Sequence, residues 1–212
     1  PPLFCDNQHR ARAPAPMTHQ KPLPQQLAVP EGNPAFRFFL QVVLWLFVRV
    51  FYRIRRTGLE NVPARGGALL ISNHVSFWDG LLLSFSAPRP VRFLMFQELY
   101  DHPLVKPFAR MMRAIPMRSQ LRPRETMASL RAASDAIRAG ELVCVFAEGQ
   151  ISRIGHMLRF RRGLEQIMKG LDAPIVPVHL DEVDASFLAV EGGRFLLRLP
   201  RRLRYRVTVS FG

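Results

Sequence analysis

The chain has 212 residues, of which 48% are hydrophobic and 22% are charged, and its formal net charge is +14. The length and composition predict one globular domain with a sizeable core, and the positive charge predicts an anionic partner. The two cysteines, Cys5 and Cys144, lie far apart and indicate neither a disulfide framework nor a metal cluster, and they suit a reducing compartment.

Residues 1–34 are rich in proline, glutamine, arginine and histidine and have no hydrophobic periodicity. Such a composition is typical of a disordered arm or an interdomain linker. Because position 1 is not methionine, we also expect the sequence to be a piece of a longer protein.

The most apolar segment covers residues 36–52 and is interrupted by Arg37, Gln41 and Arg49. It is shorter than the roughly 20 residues, with few charges, that cross a bilayer. We therefore predict, over residues 35–56, a helix that lies in the membrane surface with arginines at the lipid headgroups. The alternatives are a helix that spans the membrane and a buried core helix.

Another apolar run, residues 68–71, leads into a polar stretch that contains His74 and Asp79. The run predicts a buried strand, and the leucines at 81–83 predict the first turn of a helix. His74 and Asp79 are thus expected on a tight loop at a strand end, where ligands bind in α/β proteins. A carboxylate can orient a histidine as a general base. From these two residues alone, a packed histidine and a helix-capping aspartate are the favoured interpretation.

Downstream, apolar runs alternate with helical patterns, which predicts an α/β fold with a central, mostly parallel or mixed sheet flanked by helices. We assign this domain to residues 57–212 and expect the runs at 195–197 and 205–211 to complete its sheet. The other predicted strands are 91–95, 114–117, 142–147 and 174–180, and the predicted helices are 100–112, 125–139 and 160–169.

The sequence Asn73-His74-Val75-Ser76-Phe77-Trp78-Asp79 resembles the N-H-x-S-x-x-D box of the glycerolipid acyltransferases, the family typified by lysophosphatidic-acid acyltransferase. Three further boxes of that family follow in order, at residues 114–118, 145–153 and 173–178. Ala147 replaces the family's usual proline, and Arg118 and Arg153 are displaced from the family's arginine positions. With all four boxes present, a catalytic role of His74 and Asp79 becomes the favoured interpretation, in place of a packed histidine and a helix-capping aspartate.

The resemblance implies an acyltransferase that moves a fatty acyl group from an acyl carrier protein or coenzyme A thioester to the free hydroxyl of a lysophospholipid. His74 would be the general base and Asp79 would orient it, and backbone N–H groups after Asp79 would stabilise the oxyanion. No cofactor and no metal are implied, because a thioester is already activated. The implied substrate-binding residues are Glu148, Gly149, Arg153, Arg118, Ser76 and Pro177, although Ser76, like Asn73, also suits a loop-shaping role.

Residues 74–80, 148–151 and 205–212 are similar to the acyltransferase domains of bacterial bifunctional 2-acylglycerophosphoethanolamine acyltransferase/acyl-carrier-protein synthetases and of related transporter fusions. This similarity favours acyl carrier protein as the donor, a longer natural chain, and a location at the cytoplasmic face of the bacterial inner membrane.

Two other functions compete with this hypothesis. The arginine content also suits a nucleic-acid-binding module, but the sequence has no recognition motif and the apolar segment at 36–52 would have no use there, so we expect no nucleic-acid partner. A catalytically silent membrane-binding domain of the same fold is the other alternative.

Overall fold

The computed structural model describes residues 33–74, 76, 78–118, 123–146, 163–181, 188–191, 194–197 and 204–212. Within these ranges the helices are α1 (Pro34–Phe51), α2 (Asp79–Ser86), α3 (Gln97–Tyr100), α4 (Lys106–Met111), α5 (Pro123–Arg138) and α6 (Gly163–Met168). The strands in the same ranges are β1 (Tyr52–Thr57), β2 (Ala68–Ser72), β3 (Val91–Phe96), β4 (Ile115–Met117), β5 (Leu142–Phe146), β6 (Ile175–Asp181), β7 (Leu188–Glu191), β8 (Arg194–Leu197) and β9 (Tyr205–Phe211).

Seven of these strands form one sheet in the order β1-β9-β6-β2-β5-β3-β4. Its neighbouring strands are parallel, apart from the antiparallel pair of β6 and β9. The C-terminal ends of β6, β2, β5, β3 and β4 therefore meet at one edge, which is the ligand-binding edge of an open α/β sheet. The prediction of an α/β fold with a mostly parallel or mixed sheet is confirmed.

The alternation of side chains along the strands divides the core into two layers. The first core layer, on the side of α1 and α2, includes Leu70, Leu82, Cys144, Val178 and Val207. The layer under α5 and α6 includes Leu69, Ile115, Ile137, Val143 and Ile167. Residues 68–70 of β2 are buried on both faces, which explains why the run that precedes the polar stretch is continuously apolar.

Helix α1 has one inner face and one exposed face. Leu44, Phe47, Val48 and Phe51, spaced at three and four residues, pack on the first core layer. The helix is long and apolar enough to cross a membrane, but since most of its length is exposed, it is not the buried core helix that was one of the alternatives. The exposed apolar residues of α1 are Phe36, Phe38, Phe39, Val42, Val43, Trp45, Leu46 and Val50.

One predicted helix end and one predicted strand pairing were wrong. The helix expected over residues 35–56 ends at Phe51, and residues 52–57 form the edge strand β1, so Arg53 and Arg55 lie on the sheet. The run at 195–197 does not complete the central sheet, because β8 pairs with β7 in a separate two-stranded sheet. Of the predicted linker, residues 1–32 lie outside the described residues, and Asn33 caps α1 by accepting a 2.9 Å hydrogen bond from the Ala35 N–H.

Candidate active site

The loop between β2 and α2 carries His74 and Asp79 at the ligand-binding edge of the sheet, as the sequence predicted. Strand β2 ends at Ser72, and Asp79 is the first residue of α2. The buried residues of β2 and the buried leucines at 81–83 hold the two ends of the loop in the core. The positions of both site residues therefore depend on well-packed elements.

His74 and Asp79 are in direct contact. The Nδ1 atom of His74 lies 2.9 Å from Oδ2 of Asp79, and that oxygen also accepts a 2.8 Å hydrogen bond from the Ser76 N–H. The Asp79 side chain is 0% exposed, whereas that of His74 is 18% exposed. Because a carboxylate accepts, Nδ1 of a neutral ring carries the hydrogen and Nε2 is left as the proton acceptor. This is the arrangement of a general base with an orienting carboxylate.

Asn73 and Ser76 hold the loop in place. The Asn73 amide donates to the Leu180 carbonyl at 2.9 Å and accepts from the Leu180 N–H at 2.8 Å, which ties the loop to β6. Ser76 is buried, and its hydroxyl accepts a 3.2 Å hydrogen bond from the Trp78 N–H. Both residues shape the loop. The Ser76 N–H and hydroxyl make these bonds within the loop, and the assignment of Ser76 as a substrate-binding residue stays a prediction.

Phe146, at the end of β5, supports the imidazole ring. The rings of His74 and Phe146 stack with centroids 4.1 Å apart and an interplanar angle of 17°, and Phe146 in turn stacks on Phe93. Sequence reasoning did not assign this role to Phe146. The contact follows from the pairing of β2 with β5, in which Phe146 is the partner of Ser72. The local sequence does not show which strands are neighbours, so it could not predict this contact.

Two neighbouring polar groups in the first core layer stay neutral. Burial raises the pKa of the Tyr52 hydroxyl, and Tyr205 and the charge of Asp79 raise it further. Burial, followed by the charge of Asp79, likewise raises the pKa of the Cys144 thiol. Both groups are therefore protonated at neutral pH, and neither competes with Asp79 as the negative charge beside His74.

Arg118 lies at the same edge as His74 but is not close to it. It follows the last residue of β4, three strands away from β2, a separation of about 14 Å at the usual spacing between strands. Its Nη1 atom lies 3.1 Å from Oε2 of Glu125. The other residues predicted to bind the acceptor, Glu148, Gly149 and Arg153, lie outside the described residues.

Pro177 lies on the sheet face opposite Phe146, so the structure does not bring it together with the His74 ring. It lines a cavity of about 300 Å³ together with Ile71, Asn73 and Ser210. Across the described ranges, no group of three or more His, Cys, Asp or Glu side chains is arranged to hold a metal ion.

Sequence comparison identifies the family to which this domain belongs. A model of the Acyltransferase family matches residues 53–181, more than half of the chain. The chain belongs to this family, so the predicted family is confirmed. The closer similarity to the bifunctional synthetases and transporter fusions stays a prediction.

Relatives of the chain include two 1-acyl-sn-glycerol-3-phosphate acyltransferases. It is 28% identical over 140 residues to the chloroplastic 1-acyl-sn-glycerol-3-phosphate acyltransferase LPAT1 of Arabidopsis thaliana, covering 65% of this chain and 39% of that protein. It is 24% identical over 152 residues to the 1-acyl-sn-glycerol-3-phosphate acyltransferase of Borreliella burgdorferi, covering 72% of this chain and 59% of that protein. It is 30% identical over 147 residues to an uncharacterized protein of Mycobacterium leprae, covering 66% of this chain and 36% of that protein. The chain thus spans about a third to three fifths of the length of these relatives.

The fold resembles the crystal structure of PlsC, the 1-acyl-sn-glycerophosphate acyltransferase of Thermotoga maritima. The TM-score is 0.58 with 21% sequence identity, and the match covers 84% of this chain and 66% of that one. At this identity the likeness establishes the shared fold, and the reaction has to be argued from the site.

Proposed function

We propose that the protein is a glycerolipid acyltransferase that moves a fatty acyl group from a thioester to the free hydroxyl of a lysophospholipid. The donor is an acyl carrier protein or coenzyme A thioester. The proposal depends chiefly on the 2.9 Å contact between His74 Nδ1 and Asp79 Oδ2, which leaves Nε2 as a base at the edge of the sheet where ligands bind. Membership of the Acyltransferase family supports it.

In the proposed reaction, Nε2 of His74 takes the proton of the acceptor hydroxyl while its oxygen attacks the thioester carbonyl carbon. Backbone N–H groups in the first turn of α2 stabilise the negative charge that develops on the carbonyl oxygen. When the C–S bond breaks, the imidazolium returns its proton to the leaving thiolate, giving the ester and a free thiol. Asp79 orients the ring and stabilises its transient positive charge.

This chemistry needs neither a covalent acyl-enzyme nor a cofactor, because the thioester is already an activated acyl group. We propose Glu148, Gly149 and Arg153, with Arg118, as contacts of the glycerol phosphate, since guanidinium groups pair well with phosphate. The separation of Arg118 from His74 makes it the weaker member of that set. Pro177 remains a proposed contact of the acyl chain on the far face of β6.

The membrane surface is the proposed source of the acceptor. The exposed apolar face of α1 includes Phe38 and Phe39, and Arg49 on the same helix can meet anionic headgroups. From the similarity to the bacterial fusion proteins we propose that the protein is located at the cytoplasmic face of the bacterial inner membrane, where acyl carrier protein and coenzyme A thioesters are available.

The test incubates the protein with a panel of lysophospholipids and with both donors, and follows the product by mass spectrometry. We expect the wild-type protein to form a diacyl product and His74→Ala to lower kcat by roughly 10²- to 10⁴-fold, the usual contribution of a general base. His102→Ala, in the turn between α3 and α4, is the matched control and should keep the wild-type rate. Product formation that His74→Ala leaves unchanged would contradict the mechanism, and retained vesicle binding without any product would favour a silent membrane-binding domain.

A further inference from the structure

The inner face of α1 reaches the loop that carries the site. The Phe47 ring contacts the Trp78 ring, with centroids 4.9 Å apart and an interplanar angle of 31°. Phe47 also contacts the rings of Phe51, at 5.0 Å, and Tyr52, at 6.2 Å. Phe47 is therefore a shared contact of the helix end, the start of the sheet and the loop.

The N–H and carbonyl groups of Trp78 are hydrogen-bonded within the segment that carries Asp79. The Trp78 N–H donates to the Ser76 hydroxyl at 3.2 Å, and its carbonyl accepts from the Leu82 N–H at 2.9 Å in the first turn of α2. The next residue is Asp79, whose N–H donates to the Ser76 carbonyl at 3.3 Å. A shift of the Trp78 ring therefore displaces the short backbone segment that presents the Asp79 carboxylate to His74.

The joint between α1 and the sheet is short and well anchored. The Tyr52 N–H donates to the Val48 carbonyl, so the last hydrogen bond of the helix involves the first residue of β1. Tyr52 is also the register partner of Tyr205 in β9, and their rings lie 6.0 Å apart. These contacts fix the orientation of α1 relative to the sheet. Because no flexible connector separates the helix from the sheet, the position of Phe47 is fixed as well.

We infer that Phe47 is a positioning residue, which holds the pair of His74 and Asp79 in reacting geometry through its contact with Trp78. This inference rests on the proposed function and extends it: the helix whose outer face binds the membrane sets, with its inner face, the geometry of the reacting loop. Small errors in the placement of reacting groups are costly, since a displacement of about 1 Å can lower a rate by roughly 10²-fold.

The test compares Phe47→Ala with Phe108→Ala. Phe108, on α4, is also half-buried against the first core layer, so both substitutions remove a ring from the same core. Acyl transfer is measured on vesicles of phosphatidylethanolamine and phosphatidylglycerol that carry the lysophospholipid used by the wild-type protein. We expect Phe47→Ala to lower kcat between about tenfold and 10²-fold, with KM and vesicle binding unchanged, and Phe108→Ala to lose similar thermal stability while keeping kcat.

A double-mutant cycle separates positioning from general destabilisation. Trp78→Ala should lower kcat as Phe47→Ala does, and the double variant should be no slower than the slower single variant, because both remove one contact. In a His74→Ala background, Phe47→Ala should have no further effect on the residual rate. If Phe47→Ala does not fold, Phe47→Leu, which keeps apolar volume but removes the ring, takes its place with an expected loss of several-fold in kcat.

The possible failures are distinguishable. A wild-type rate no higher than that of His74→Ala overturns the proposed function and this inference with it. A wild-type rate that depends on His74, but that folded Phe47→Ala or Phe47→Leu leaves unchanged, overturns this inference alone. This inference is also overturned if the kcat losses of Phe47→Ala and Trp78→Ala multiply in the double variant. It is likewise overturned if Phe47→Ala weakens only vesicle binding and leaves kcat unchanged.

Discussion

Asp79 is a charged side chain with no exposed surface, and its Oδ2 atom receives hydrogen bonds from both the His74 ring and the Ser76 N–H. A buried carboxylate is costly unless such partners compensate for its lost hydration. The same two bonds that satisfy Oδ2 also fix the orientation of the carboxylate toward His74. Stability of the loop and presentation of the base therefore depend on one oxygen atom.

Asp79→Asn tests this dependence with almost no change in side-chain size. Because His74 Nδ1 and the Ser76 N–H share Oδ2, the amide presents either its oxygen or its NH₂ to both of them. The oxygen still accepts both bonds but lacks the negative charge that stabilises the imidazolium, whereas the NH₂ opposes the Ser76 N–H and favours the tautomer of His74 that carries its hydrogen on Nε2. We expect kcat to fall by roughly 10²- to 10⁴-fold, while KM for the acceptor changes little. Steady-state kinetics with Asp101→Asn, an exposed carboxylate after α3, provides the control. Wild-type kcat in Asp79→Asn would refute the orienting role.

At the scale of elements, α1 combines two surfaces that hydropathy alone does not separate. Its inner residues touch the core and the Trp78 ring, and its outer residues leave a large apolar area in contact with water. A contiguous exposed apolar surface of this kind marks an interaction site in a soluble domain. This outer surface supports the proposal that the helix contacts a membrane.

Replacing two apolar residues of that surface with aspartates should weaken the binding of the protein to membranes. Phe38→Asp with Phe39→Asp replaces side chains that are 70% and 63% exposed, so the fold has little reason to change. Because burial of a phenylalanine in an apolar medium contributes about 1.5–3 kcal/mol, vesicle binding should weaken at least tenfold in co-sedimentation. Leu104→Asp, a matched change at a 78% exposed leucine outside α1, should leave vesicle binding unchanged. Equal binding by all three proteins would exclude α1 as the membrane contact.

Local signals predicted most of these elements and the core of the site. The apolar run of β2, the leucines of α2 and the spacing of His74 and Asp79 are all contained in one short stretch, so their arrangement follows from nearby residues. Strand β1 was missed because Arg53 and Arg55 follow the apolar helix without a break, and alternation over so few residues is a weak signal. The stacking of Phe146 on His74 depends on which strands are neighbours, and the sequence does not state that order.

At the scale of the whole molecule, β9 is the strand that joins the α1 and β1 unit to the rest of the sheet. It pairs with β1 in parallel on one side and with β6 antiparallel on the other. Its inward residues Val207 and Val209 are buried in the first core layer. Within the described sheet, β1 has β9 as its neighbour, so the placement of α1 over the site depends on that pairing.

Thr208→Pro should detach this unit. Thr208 is the register partner of both Arg55 and Asp181, and a proline there removes an N–H donor from a strand that pairs on both sides and restricts the backbone. We expect lower stability in urea unfolding and faster tryptic cleavage at the arginines of β1. Thr208→Ala keeps the N–H and should resist trypsin as the wild-type protein does. Protection of β1 in Thr208→Pro would mean that other contacts hold it.

The pairing of β1 with β9 also has a consequence during synthesis. Thr57 and Ser210, whose hydroxyls are hydrogen-bonded across these strands, are 153 residues apart in the chain. At about 5–20 residues per second on the ribosome, roughly 8–30 seconds separate the emergence of the two strands. During that interval the apolar helix and the arginines after it are outside the ribosome before their strand partner exists. A nascent chain therefore exposes this apolar helix before its central sheet is closed.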